Sequence, residues 1–177
     1  NVFENPAWYT SYTPYQAEIS QGRLEALFNY QTLITELTGL PVANASLLDE
    51  GTAAAEAMLL AHSQSKKKDF IVDDKIFPQT LEVLQTRARP LGINIVKVDL
   101  DKLVDLESVE NAFGVIIQYP NSHGALKYHD GFLRCAEAYK CMKIAIVDPL
   151  CQVLMKPVGE MGFCLLYTSP SPRDEQS

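Results

Sequence analysis

The chain has 177 residues, 47% of them hydrophobic and 21% charged, with a formal net charge of −7. That apolar share is enough to offset chain entropy, so wholesale disorder is excluded. The acidic balance argues against a nucleic-acid binder, and no apolar run approaches the roughly 20 residues of a membrane helix.

At about 150 residues per domain, the length is that of one domain. Residues 1–20 predict an extended arm. Pro6 and Pro14 push their predecessors towards extended backbone, and Trp8, Tyr9, Tyr12 and Tyr15 follow no helical period. An aromatic arm of this kind has no core of its own and packs on something else. It shows neither the basic start nor the apolar stretch of a signal peptide. Residues 21–38 predict an amphipathic helix, with Leu24, Leu27, Phe28, Gln31, Ile34 and Leu37 at three- and four-residue steps and Gly39 as its C-cap. Asp49 predicts the N-cap of an Ala-rich helix from Glu50 to about His62.

An alternation follows. Phe70–Val72, Ile93–Val98, Gly114–Tyr119 and Lys143–Asp148 predict strands. Pro78 to about Ala88 and Phe132–Cys141 predict helices, and Leu103–Asn111 a short, partly helical stretch. Apolar, β-branched strands alternating with helices define an α/β fold, a mostly parallel sheet with helices on both faces. Lys66-Lys67-Lys68 is expected to be a solvated loop. Cys135, Cys141, Cys151 and Cys164 match no metal or redox spacing and are expected to be reduced, mostly buried thiols. Residues 164–177 lack periodicity and are expected to form a disordered, non-native tail.

Open parallel sheets place ligands beyond the carboxyl ends of their strands. Three features fall there. Gly51 and Thr52, at a helix N-terminus, suit a phosphate, although Asp49 and Glu50 oppose an anion and a plain helix cap accounts for the same residues. His123, in the turn after Tyr119, suits stacking on a ring or plain solvation. Asp148, at a strand end, suits pairing with a protonated ring nitrogen or capping the next turn. Together they form the protein side of a pyridoxal-phosphate pocket. A Schiff-base lysine should follow Asp148 by some tens of residues. Lys156 comes too soon and is the last lysine in the chain.

Several long motifs closely resemble the N-terminal half of the P-protein family of the glycine cleavage system. They are residues 5–25, residues 44–58, Pro78-Gln79-Thr80, Gln85-Thr86-Arg87-Ala88, Gln118-Tyr119-Pro120 and Lys156-Pro157-x-Gly159-Glu160-x-Gly162. The resemblance covers residues 1 to about 163. It implies a partial large domain of the type I pyridoxal-phosphate transferase fold over residues 21–163. It also implies a glycine dehydrogenase (decarboxylating) activity. Glycine loses its carboxyl carbon as CO2, and the aminomethyl group passes to the lipoyl arm of the H-protein.

The family carries its working pyridoxal 5'-phosphate and its lysine in the C-terminal half. This chain is therefore expected to be inactive alone, with no catalytic residue and no metal. Gly51, Thr52, His123 and Asp148 become remnants, and Tyr12, Thr13, Tyr15 and Gln16 candidates for the wall of the partner's active site. Implied partners are the C-terminal half or subunit, lipoylated H-protein and glycine, in a homodimer or heterotetramer without nucleic acid or membrane. Implied compartments are the bacterial cytoplasm or, in a eukaryote, the mitochondrial matrix. The alternative is a non-catalytic interface subunit that supports a cofactor-bearing partner. A different type I decarboxylase would need its own lysine nearby, and the N-terminal motif argues against it. Residues 147–151 match more loosely, which weakens the role of Asp148.

Overall fold

The computed structural model describes Glu4 and residues 21–44, 47–102 and 106–168. The expected arm, apart from Glu4, and the residues from 169 onward lie outside these. Helix α1 spans Gln21–Thr38, and α2 spans Glu50–Ser63. Strand β1 (Asp69–Asp73) leads to α3 (Pro78–Ala88) and β2 (Asn94–Val98). Then come α4 (Leu106–Asn111), β3 (Ala112–Tyr119) and α5 (Asp130–Ala138). Strand β4 (Met142–Val147), α6 (Pro149–Leu154) and β5 (Leu165–Thr168) complete the order.

The five strands lie in the order β2-β1-β3-β4-β5. Every pairing is parallel, so the expectation of a mostly parallel sheet holds throughout. β1 and β3 are neighbours although β2 separates them in sequence. The direction of winding therefore reverses between them, and their carboxyl ends form the topological switch point.

Period-two alternation splits the core into two layers. Phe70, Val72, Ile116, Ile144 and Ile146 pack against Ala54, Ala55 and Met58 of α2 and Leu84 of α3. Ile71, Val115, Ile117, Tyr119, Ala145 and Val147 pack against Val109 of α4, Leu133 and Ala136 of α5, and Val158 and Phe163. All eight residues of β3 are buried, as expected for the central strand of a doubly covered sheet.

Four expectations about element bounds are corrected. The helix expected to reach Cys141 stops at Ala138, because Lys140 adopts a left-handed φ of 56° and the Cys141 N–H turns back to the Ala136 carbonyl. The strand expected to end at Asp148 ends at Val147. Asp148 instead caps α6, a helix the apolar pattern did not announce. Of the tail expected from residue 164, Leu165–Thr168 pairs with Ile144–Val147 as an edge strand, and residues 169–177 lie outside the described residues. β3 begins at Ala112, two residues before the expected Gly114.

Two side-chain expectations are corrected as well. The four thiols are free, but of them Cys141 alone is buried, and Cys164 is exposed where the chain enters the edge strand. Lys67 is not simply solvated: its Nζ donates to the carbonyls of Ala112 and Tyr139, bridging the start of β3 and the end of α5.

The Pro157–Gly162 motif joins α1 to the sheet. Gly159 donates its N–H to the Thr38 carbonyl at 2.8 Å and lies directly against Gly39, which adopts φ +70° at the C-terminus of α1. From β4, buried Lys143 reaches Glu137 on α5, with Nζ 2.9 Å from Oε2. Gly162 leaves room for that amine: a Cβ there would stand 3.0 Å from Nζ.

Candidate functional site at the carboxyl ends of the strands

Asp49 opens α2 from extended backbone, and its Oδ1 accepts the Thr52 N–H at 2.6 Å. Beside it the Thr80 hydroxyl donates to Glu50 Oε1 at 2.9 Å, tying the start of α2 to α3. Gly51 faces α3 as well, since a Cβ there would stand 3.0 Å from Val83 Cγ2. The absence of a side chain at Gly51 therefore serves helix–helix approach. A phosphate at a helix start uses the free N–H groups of the first turn. Here the Thr52 N–H already bonds to a carboxylate, and a second carboxylate stands next to it. Asp49→Ala is expected to destabilise the chain by about 1 kcal/mol through loss of this cap, read from urea unfolding.

The loops after β3 and β4 meet. The Asp148 N–H donates to the Tyr119 carbonyl at 3.0 Å, next to the cis Tyr119–Pro120 peptide. The Asp148 carboxylate accepts the Leu150 N–H at 2.8 Å and so serves α6. His123 is exposed, and its backbone N–H donates to Asn121 Oδ1 at 3.0 Å. Asn121 Oδ1 also accepts the Ala125 N–H at 3.0 Å, which shapes the turn. The start of α2 connects to this edge through α3, where the Phe77 N–H donates to Gln118 Oε1 at 2.8 Å. Tyr12, Thr13, Tyr15 and Gln16 lie outside the described residues.

The switch point holds an ion network with no counterpart in the sequence motifs. Lys75 Nζ stands 2.6 Å from Asp99 and 2.9 Å from Asp101. Lys127 Nζ stands 2.6 Å from Asp101, and Lys102 Nζ 3.1 Å from Asp99. The hydrogen bond from Lys75 holds the Asp99 carboxyl far below the usual range. That from Lys127 does most to lower Asp101, and the bond to Asp99 raises Lys75. The Ser122 N–H donates to the Lys75 carbonyl at 2.8 Å, joining the β3 loop to the β1 loop. Asp73-Asp74-Lys75 directly follows a predicted strand, so the carboxyl-end rule was the signal that could have singled it out.

Under this network lie three partly or wholly desolvated groups. Burial pushes Asp73 above the usual carboxylate range and lowers His129, against the pull of Asp73. Tyr119 is buried, its hydroxyl has no hydrogen-bond partner, and burial raises its pKa. A carboxyl whose pKa is raised on folding contributes stability below the unfolded value, and loses it as pH rises through the folded value. Asp73→Asn is therefore expected to stabilise the chain at pH 7, with the gain vanishing below about pH 4. Urea unfolding across that range tests this, and an equal gain at both ends would refute it.

The residues present do not fit pyridoxal phosphate. The first-turn N–H of the would-be phosphate seat is capped by the chain's own carboxylate, and the Asp148 carboxylate is bound to a helix start. Lys75, two residues beyond β1, and buried Lys143 of β4 are each held by carboxylates.

A doubly wound parallel sheet with its loops gathered at the carboxyl edge is shared by several classes of α/β protein, pyridoxal-phosphate enzymes of fold type I among them. Consistent with this, the chain superposes on a putative O-acetylhomoserine (thiol)-lyase of Campylobacter jejuni with a TM-score of 0.64 at 16% identity, covering 93% of this chain and 44% of that one. The glycine cleavage system P-protein family matches residues 1–169, and the chain belongs to that family.

A glycine dehydrogenase (decarboxylating) of Prochlorococcus marinus is 59% identical over 165 residues, covering 92% of this chain and 17% of that protein. That of Roseobacter denitrificans is 54% identical over 164 residues, again covering 92% and 17%. An inhibitor-bound glycine decarboxylase (P-protein) crystal structure superposes with a TM-score of 0.78 at 36% identity, covering 87% of this chain and 36% of that chain. The chain thus spans about a sixth of the length of its curated relatives. The family match runs past Phe163, to residue 169.

Proposed function

We propose that this chain is the N-terminal part of a glycine dehydrogenase (decarboxylating). The observation that carries the reading is the family match over residues 1–169, with 59% identity to a named relative. The complete enzyme removes the carboxyl carbon of glycine as CO2 and passes the aminomethyl group to the lipoyl arm of the H-protein. The cofactor and its lysine belong to the remainder of the polypeptide. This part supplies a rigid, covered sheet whose carboxyl edge is closed by its own ion pairs. The assembly is a homodimer or heterotetramer, in the bacterial cytoplasm or a mitochondrial matrix.

The test joins the purified chain to the remainder of the P. marinus relative, with lipoylated H-protein and pyridoxal phosphate. Release of labelled CO2 from carboxyl-labelled glycine is expected from the pair and from neither part alone. No release from a stably associated pair refutes the reading.

A second reading is favoured by the capped start of α2: a non-catalytic subunit that only supports its partner. Tyr15 and Gln16 separate the two. If the arm walls the partner's active site, Tyr15→Phe and Gln16→Ala in the complete enzyme lower glycine turnover. Unchanged turnover leaves the supporting role.

A further inference from the structure

Tyr119 ends β3, and its ring lies in the core layer on the α5 side of the sheet. The residue is only 1% exposed, and its hydroxyl has no hydrogen-bond partner among the described residues. A buried hydroxyl left so has lost its hydration without compensation, and native proteins keep few such groups. The surroundings supply what it lacks. Asp73 is equally buried, at 2% exposure, and β1 pairs with β3 in a register that sets Val72 against Ile116. Alternation along β1 puts Asp73 on the side of Ile71, which is also the side of Tyr119. Asp73 Oδ1 accepts the Lys75 N–H at a long 3.4 Å. His129 stands at the start of α5, the helix that covers this side, and its ring does not cap that helix. The charge of Asp73 is felt at both Tyr119 and His129, yet the Tyr119 hydroxyl bonds to neither.

We infer that Tyr119, Asp73 and His129 bind one buried water molecule between β1, β3 and α5. The water accepts the Tyr119 O–H and donates to the Asp73 carboxylate. Its remaining bonding capacity meets the His129 ring. That gives it three polar partners, the usual number for a buried water. A metal cation suits the place less well, because the ammonium groups of Lys75 and Lys127 already act on this cluster. The three partners belong to three separate elements. The water therefore ties the end of β3 to β1 and to the start of α5, and fixes how the loop of residues 120–129, with His123 in it, leaves the sheet.

Tyr119→Phe in the 177-residue chain tests this by the sign of its effect on urea unfolding. Removing a dry, unpartnered hydroxyl raises the folding constant. Removing one that holds a water strands that water beside Asp73, and the constant is expected to fall by about fivefold or more. An unchanged or raised constant overturns the inference. In an Asp73→Leu background the same Tyr119→Phe change is expected to cost less than about twofold, and a loss that persists in full overturns the shared site. Where Asp73→Leu does not fold, Asp73→Asn keeps an acceptor for the water, and the full loss is expected to remain; its disappearance counts against the inference. A high-resolution crystal structure is expected to show one ordered density peak within hydrogen-bond distance of both Tyr119 Oη and the Asp73 carboxylate. No density there overturns the site. Replacing sodium or potassium by choline at constant ionic strength is expected to leave the unfolding midpoint unchanged. A dependence on the cation that vanishes in Tyr119→Phe assigns the place to a metal ion and overturns the water.

Discussion

Gly159→Ala is expected to lower the stability of this domain by about 3 kcal/mol or more, among the largest single-residue losses available to it. A Cβ at Gly159 would run into the carbonyl of Gly39, and the Thr38 carbonyl stands 3.0 Å away on the same side. Both obstacles are backbone, so no rotamer change relieves them. The Gly159 N–H also donates to the Thr38 carbonyl, which holds the two segments at this spacing. Relief requires α1 to part from the Pro157–Gly162 loop, and with it the packing of Val158 and Phe163 beneath β3 and β4. Gly131→Ala is the internal control. It lies in α5 with nothing near its Cβ position, and a gain of about 0.5–1 kcal/mol is expected there. Urea midpoints at unchanged slope measure both. A Gly159→Ala loss within a few tenths of a kcal/mol would show that the close approach is not obligatory.

Phe70→Ala is expected to cost about 3–5 kcal/mol. The ring is fully buried, stacks on Phe113 with centroids 5.2 Å apart, and covers the backbone of Gly114. It belongs to a buried cluster drawn from β1, β3, β4, α2 and α3, a shell too constrained to collapse into the space left. The same geometry makes Gly114→Ala costly by overpacking, about 1–3 kcal/mol, because the new Cβ would stand 2.9 Å from Phe70 Cε2. The two sites share one volume. Phe70→Leu combined with Gly114→Ala should therefore cost clearly less than the sum of the single changes. Strict additivity in the double-mutant cycle would contradict the proposed contact.

What the residues reveal on their own depends on how local the cause is. The bounds of α1 and α3 follow from short-range signals, an apolar stripe ending at Gly39 and a proline at the first turn, and the structure places both helices there. The end of α5 has no such mark. Ala138-Tyr139-Lys140-Cys141 carries neither Gly nor Pro, and the stop comes from Lys140 adopting a left-handed backbone. α6 was hidden because Asp148-Pro149 suits a strand end and a helix start equally well. At the carboxyl edge, the capping role of Asp49 was legible because its partner is three residues away. The Lys75 network was not, because Asp99 and Asp101 lie 24 and 26 residues further on. Only the sheet brings those charges together.

The strand order also dictates a sequence of events during synthesis. β2 can dock on one side of β1 once residue 98 has cleared the ribosome, yet the other side of β1 waits for β3. β3 in turn waits for β4, so its eight wholly buried residues emerge from the ribosome with only one flank satisfied. Parallel neighbours cannot be paired through a tight hairpin, which lengthens each wait. The nascent chain is therefore most exposed to misassociation between completion of Ala112–Tyr119 and completion of Met142–Val147.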